Sequence, residues 1–566
     1  MRCAPISAWA PTGKKGDSLS DQTVPTFSKT PRSAVRASHA MVATSQPLAV
    51  QTGIDTLKSG GTALDAAIAV NAMLGLVEPM SCGIGGDVFA IVWDAATRRL
   101  YGLNGSGRSP GSLSREWFLS QGHEYIPTRG PLSWSVPGCV DGWFALHQRF
   151  GRTPMRELLQ PTIEAAIGGF SVTPVIAHMW QAAAERLAQD PGAAAVFLPD
   201  GRAPQPGDVF RNPRLAEALA RLAEDGNDVF YRGPIAEGLV AFSNSVGGFF
   251  SLADFTDHVS TWVDPVSVPF RGYDVWQLPP NTQGLATLQM LKILEPFDIA
   301  AMDHNSAEYL HLLIEAKKLA YEDRARLYAD PDFFDVPIEA LLSDDYAARL
   351  RGRIDPQRAS TELVLDDPRT VRGDTVYLTV VDEEGNAVSF IQSIFNKFGS
   401  CVVPPQLGFA LQNRGSLFHL DPEHPNAFVP NKRPFHTIMP GFVTQDGRPV
   451  FSFGVMGGDM QPQGQLQVLL NRIEFGMDPQ LAGEALRFRH DGSSTPVGHQ
   501  MNDGGVVRLE PGFSQTLLDE LRAKGHRVET TADDGFGGYQ GIWIDSDTDT
   551  LIGGSEPRKD GCALGY

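Results

Sequence analysis

Two apolar, β-branched runs, 376–381 and 387–394, are separated by Asp382-Glu383-Glu384-Gly385-Asn386. An acidic Gly/Asn turn between two such runs predicts a β-hairpin. With so few polar residues in either strand, the hairpin has to be buried, and the rest of the chain has to be organised around it. Gly373-Asp374-Thr375 opens the first strand and sets a threonine at its mouth. Were the Asp374–Thr375 bond cut, Thr375 would carry a free α-amine beside its own hydroxyl. That amine can take the Oγ proton, which removes the need for a Ser-His-Asp arrangement. The plain reading stands beside it, because β-branched residues favour strands whatever their chemistry.

A chain of 566 residues is long enough for several domains or for one large interwoven unit. Its 42% hydrophobic and 20% charged residues are those of a soluble globular protein. Lys+Arg 47 against Asp+Glu 66 gives a net charge of −19, which argues against non-specific nucleic-acid binding and leaves room for a local basic site. The five cysteines are scattered, without CxxC or Cys/His spacing, so neither zinc nor a disulfide framework is expected. No apolar run is long enough to span a bilayer. Residues 1–40 lack the apolar core of a secretory signal, and a cytoplasmic protein is expected.

Those first forty residues, rich in Ser, Pro and Thr, read as a flexible extension, with folding expected to begin near Met41. A short strand over 41–45 and a helix over 47–60 follow; Thr62 then caps a helix over 63–76 that is apolar nearly all round. Residues 81–87 form a Gly-rich loop. It matches no phosphate-binding pattern and precedes a strand, so packing is the better reading. Residues 130–260 alternate helical segments with Pro/Gly turns. A helix from Ser306 carries an apolar stripe, with Glu322, Asp323, Arg324 and Arg326 read as a solvated face. The polar segment 355–372 reads as a linker or a processed tail. A second hairpin is expected across Gln445-Asp446-Gly447-Arg448. Beyond it, Gly457-Gly458 stands between a strand and a helix over 463–475, where free backbone N–H groups could bind an oxyanion or simply turn the chain.

Several separated motifs agree in order: Met41 to Ala49, Gly60 to Ala67, Val77-Glu78-Pro79 with Gly83 to Gly86, Thr375 to Asp382, Asn431 to Pro434, Gly457-Gly458, and Asp560-Gly561 to Tyr566. Through them the chain resembles the γ-glutamyltranspeptidase family of N-terminal-nucleophile hydrolases over most of residues 41–566. The resemblance implies an α+β fold, a four-layer αββα sandwich. It also implies autocatalytic cleavage before Thr375 into interleaved segments, 41–374 and 375–566, after the 1–40 extension. Thr375 would be the nucleophile, Ser393 the hydroxyl that orients it, and Gly457 and Gly458 the oxyanion hole. No metal or cofactor is expected, and further pairing of processed heterodimers is left open.

The departures from the family concern the substrate. Its carboxylate-binding arginine aligns with Ser106, its acidic partner for the α-amine with Leu417, and its strand asparagine with Phe395; its serine pair appears as His436-Thr437. The lid is shortened to 420–426. A site rebuilt in this way suits a carboxylate lacking a nearby amine, with Arg108, Arg414, His436 and Thr437 as substrate-binding candidates. The pattern is similar to the oxamate amidohydrolase branch, which implies a small carboxylated amide as substrate. Glutathione hydrolysis or transfer, cephalosporin-type acylation, and an unprocessed binding protein are the rival readings.

Overall fold

The expected hairpin forms. In the computed structural model, which describes residues 31–361 and 373–566, Asp374–Val381 pairs antiparallel with Ala387–Phe395. Every residue of the pair except Asp374 is buried. The outer edges are occupied over much of their length, residues 378–381 by Met41–Thr44 and residues 387–393 by Asp87–Asp94, and the edge beside Thr375 lies beyond that pairing. The complete sheet runs Cys562–Gly565, Met41–Thr44, Asp374–Val381, Ala387–Phe395, Asp87–Asp94, Arg99–Gly105, Thr261–Val263.

A second seven-stranded sheet runs Val35–Ala37, Thr550–Ser555, Gly538–Asp545, Arg448–Met456, Gly441–Gln445, Tyr273–Gln277, Val266–Phe270. The second expected hairpin lies within it, Gly441–Gln445 against Arg448–Met456. One apolar cluster joins the two sheets through Phe89, Tyr377 and Ile391 on one side and Phe442, Ile542 and Leu551 on the other. Another packs the helices Pro47–Lys58 and Ala63–Val77 against the Thr375 sheet. A third packs Gly284–Leu294, Ala307–Leu327 and Met460–Ile473 against the second sheet. The chain is therefore α+β, with helices around antiparallel sheets.

The structure corrects three expectations. Regular structure begins before Met41: Val35–Ala37 pairs with Thr550–Ser555, so the loose extension does not include residues 31–40, while 1–30 lie outside the described residues. The helix after the glycine pair starts at Met460, three residues early. Finally, the charged face of Ala307–Leu327 is solvated only in part: Arg326 is exposed and Glu322 half-buried, as expected, but the other two members are not. Asp323 and Arg324 are buried, Arg324 donating to Gln283 Oε1 and Asp459 Oδ1 at 2.7 Å each and Asp323 accepting from Gln289 and Tyr346 at 2.8 Å. Paired in this way, charges can lie against a core. Of the expected linker 355–372, residues 362–372 lie outside the described residues. No helix among the described residues is long and apolar enough to cross a membrane.

Candidate active site

A bulge sits at the expected nucleophile. Asp374 opposes Phe395 and Val376 opposes Gln392, so Ser393 and Ile394 together face Thr375. Bulges re-aim side chains at a defined point of a ladder, and here the Ser393 hydroxyl turns toward the Asp374–Thr375 peptide. Its oxygen accepts from Arg414 Nη2 at 2.9 Å and from the Phe395 N–H at 2.8 Å. Both lone pairs are then taken, and the single hydroxyl proton goes to the Asp374 carbonyl oxygen at 2.6 Å. Thr375 Oγ1 lies 3.4 Å from Ser393 Oγ and 3.4 Å from Gln461 Nε2. Phe395 holds φ at 75°, a left-handed conformation rare for a bulky residue, and its ring lies 4.5 Å from the Arg414 guanidinium.

Arg414 is fully buried. Its Nη1 donates to Thr437 Oγ1 at 2.7 Å, while its Nε has no hydrogen-bond partner among the described residues. Burial lowers its pKa to about 9, an effect the nearby Asp87 charge opposes, so the guanidinium is still cationic at neutral pH. Arg414, Ser393, Thr437 and Thr375 thus form one contiguous buried polar cluster.

Gly457 and Gly458 adopt φ of 122° and 58°. They end the strand Arg448–Met456, and their carbonyls accept from the N–H groups of Met460 and Gln461 as the next helix begins. A Cβ on Gly458 would lie 2.7 Å from Gly373 N, so the pair packs directly against the chain leading into the Asp374–Thr375 bond. Gln283 Nε2 fixes this corner by donating to the carbonyls of Gly458 and Thr437 at 2.9 and 2.5 Å.

Two candidate cations do not serve as such. His436 is fully buried, its Nε2 lying 3.0 Å from Asp87 Oδ2, and burial together with the Arg414 charge holds its pKa well below the usual histidine value. It is neutral and cannot clamp an anion by charge. Arg108 is already held by Asp330 at 3.4 Å and Asp332 at 2.7 Å.

A cavity beside Asp374 has a volume of about 660 Å³ and is bordered by Gly373, Asp374, Phe395, Lys397, Leu417 and Gly457 among others. Lys397 sits between two carboxylates, 2.5 Å from Asp534 and 3.8 Å from Asp374. Burial pushes the Asp374 carboxyl above its ordinary pKa, while Lys397 and Lys559 pull it back.

Sequence reasoning missed Lys397, Gln461 and Asp87. Asp87 Oδ1 accepts from the N–H groups of Gly107 and Gly138 and from Gln412 Nε2 at 3.0, 3.1 and 2.8 Å, tying the 81–87 loop to three other segments. The loop's glycines allow this. A Cβ on Gly85 would lie 2.1 Å from the Ala410 oxygen and one on Gly86 2.3 Å from the Ser393 oxygen, so the packing reading fits. An aspartate ending a Gly-rich loop was the available signal. Ser106 is buried and donates to Asn104 Oδ1 at 2.6 Å.

Residues 49–566 match the family described as gamma-glutamyltranspeptidase. The chain is 38% identical over 528 residues to the glutathione hydrolase-like YwrD proenzyme of Bacillus subtilis, covering 93% of this chain and 98% of that one. It is 36% identical over 541 residues to the oxamate amidohydrolase proenzyme of Klebsiella pneumoniae, covering 94% and 99%. The crystal structure of cephalosporin acylase from Bacillus halodurans superposes with a TM-score of 0.88 at 41% identity, covering 97% of this chain and 99% of that one.

Proposed function

The chain belongs to the γ-glutamyltranspeptidase family of hydrolases, and from that premise we propose that it is an autoprocessed N-terminal-threonine amidohydrolase acting on a small carboxylated amide, with oxamate as the first substrate. In this reading the fold is the four-layer αββα sandwich, residues 375–566 become the small subunit, and the reaction runs where the chain is made.

One observation carries the proposal: the Ser393 proton points at the Asp374 carbonyl oxygen at 2.6 Å, with the cationic Arg414 behind it. A carbonyl polarised in this way is prepared for attack. Thr375 Oγ adds to the Asp374 carbonyl carbon, and the C–N bond breaks as the threonine nitrogen takes up a proton. Water then cleaves the resulting ester and leaves Thr375 with a free α-amine. In the second cycle that amine takes the Oγ proton, and Oγ attacks the substrate amide. The N–H groups of Gly457 and Gly458 hold the oxyanion, a role worth several kcal/mol, roughly 3 per donor. Ammonia leaves with the proton, and water releases the acyl group. Arg414, with a buried Nε lacking a partner among the described residues, is the cation that supports binding of a carboxylate next to the scissile carbonyl.

A second reading has its own support. A cavity of about 660 Å³ is far larger than a six-heavy-atom amide requires, which favours a bulkier acyl amide of the kind a cephalosporin-type acylase would take. γ-Glutamyl binding is less well supported, since the apolar Leu417 borders the cavity where the resemblance places an acidic partner for the amine.

The experiment is ammonia release from oxamate by protein whose cleavage at Asp374–Thr375 has been verified by mass spectrometry. Saturable release that Thr375→Ala abolishes is the expected result. Fully cleaved protein inert on oxamate but active on glutaryl or γ-glutamyl amides would keep Thr375 and replace the substrate. A chain that stays intact near 61.3 kDa and releases nothing would return the molecule to the class of binding proteins.

A further inference from the structure

Away from Thr375, the interior holds a second chemistry-bearing cluster. His311 and Glu315 lie one turn apart on one face of the helix Ala307–Leu327. His526 reaches them from just beyond the helix Gln515–Ala523. All three side chains are buried, and one ligand atom from each lies within 4.8 Å of the others. We propose that His311, Glu315 and His526 form a binding site for a Zn²⁺-class divalent cation, joining the segment before the cleavage point to the segment after it.

The hydrogen bonds orient the donors for this. His311 Nε2 lies 2.8 Å from the Asp355 carbonyl oxygen, which accepts only, so this nitrogen carries the proton and Nδ1 presents its lone pair. A metal-bound imidazole is characteristically held in this way, its other N–H donated to a carbonyl. His311 Nδ1 lies 2.8 Å from His526 Nε2, so these two nitrogens share one proton. Moving that proton to His526 Nδ1 leaves two lone pairs converging on one point, with no net change in protonation.

Glu315 supplies the third donor. Its Oε1 accepts from Lys318 at 2.8 Å and its Oε2 from the Ser360 N–H at 3.1 Å; a carboxylate has about four lone-pair sites, so two stay available. Two imidazole nitrogens and one carboxylate oxygen are a donor set that zinc favours, at about 2.0–2.2 Å from the metal. Adopting it requires the imidazoles to part by roughly half an ångström and the carboxylate oxygen, now within 4.8 Å of them, to settle at roughly 3.4 Å from each. The ammonium groups of Lys318 and Lys524 face the cluster and weaken binding relative to the same three ligands alone.

The site's place in the chain gives it a purpose. Ser360 and Asp355, which contact Glu315 and His311, lie just before residues 362–372 and the Asp374–Thr375 bond. A cation here would hold the end of the first segment against the second. Binding itself does not depend on cleavage or on the identity of the substrate.

The test uses the full-length protein dialysed against EDTA and then titrated with ZnCl₂ by calorimetry, with thermal unfolding alongside. Expected are one Zn²⁺ per chain and a rise in melting midpoint of about 3 °C or more at saturating metal, both lost in Glu315→Gln and His526→Gln. Equal zinc binding by wild type and variants, or none by wild type, would overturn the site. Because either variant could fold poorly, Co²⁺ added to the wild type gives an independent readout. Intense visible bands of a low-coordinate nitrogen/oxygen site support the proposal, and the pale spectrum of hydrated cobalt refutes it.

Discussion

At the scale of single residues, reaction and stability meet in a few buried polar groups whose partners decide what each can do. Ser393 directs its one proton because Arg414 and the Phe395 N–H occupy its lone pairs. Replacing Arg414 by Gln removes charge-assisted bonds to Ser393 and Thr437, a loss of about 2 kcal/mol, which corresponds to a processing rate roughly 30-fold slower. The time course of chain cleavage on a denaturing gel measures this, and an unchanged rate would detach Arg414 from the reaction. Glu78 offers a pH test. Burial raises its carboxyl to about 7, although Ser45 donates to it at 2.6 Å. Its pKa in the unfolded chain is about 4.3, so the folded state binds the proton more tightly. The stabilisation is complete below about pH 4 and is lost as the pH rises to about 7. Glu78→Gln should therefore flatten the fall in melting midpoint between pH 5 and pH 8, and parallel curves for the two proteins would contradict the assignment. Of these residues, Thr375 and the glycine pair stood out in the sequence as a strand mouth and a strand-to-helix turn, whereas Ser393 stood out only through the family resemblance. Asp87 and Lys397 did not, since their meaning lies in partners 20 to 349 positions away.

Elements carry a different kind of information. The central hairpin could be read directly, because two largely apolar or β-branched runs around a Gly/Asn turn have few alternatives. Ala307–Leu327 could not, because its periodicity suggested one wet face, and burial of Lys317, Lys318, Asp323 and Arg324 depends on polar partners supplied from elsewhere. Lys317 alone donates to the His490 carbonyl and to Ser493 Oγ at 2.9 and 2.7 Å. Misplacing the start of Met460–Ile473 has a similar origin. Its first turn closes on the carbonyls of Gly457 and Gly458, so a turn that looks like loop in the sequence belongs to the helix. This strand–turn–helix junction is also where backbone conformation controls chemistry. Gly458→Ala places a Cβ in a left-handed conformation and 2.7 Å from Gly373 N, which displaces the chain entering the scissile bond. The expected outcome is a soluble protein whose cleavage is at least about tenfold slower. Wild-type cleavage in Gly458→Ala would show that the corner tolerates the shift.

For the whole molecule, the decisive property is how the two sides of residue 374 are woven together. In the hairpin's sheet, Cys562–Gly565 comes from after that point, Met41–Thr44 from before it, the hairpin from Thr375 onward from after it, and Asp87–Asp94, Arg99–Gly105 and Thr261–Val263 from before it. In the other sheet, strands from before residue 374, Val35–Ala37 at one end and Tyr273–Gln277 with Val266–Phe270 at the other, flank four strands from after it. Neither segment can complete a sheet alone, and separating them would open strand edges on both. All three large apolar clusters also draw residues from both segments. Cutting the Asp374–Thr375 bond therefore removes one covalent link and none of the ladders or core contacts that hold the fold. Cleaved protein should run as two bands on a denaturing gel yet elute as one species under native conditions. Its thermal unfolding should be a single transition, with little loss of midpoint relative to uncleaved Thr375→Ala. Because each segment exposes core faces without the other, the two made as separate chains should be insoluble alone and recover structure only when refolded together. A soluble, cooperatively folded 375–566 fragment would show that the second segment is a domain in its own right, and the interwoven reading would fail.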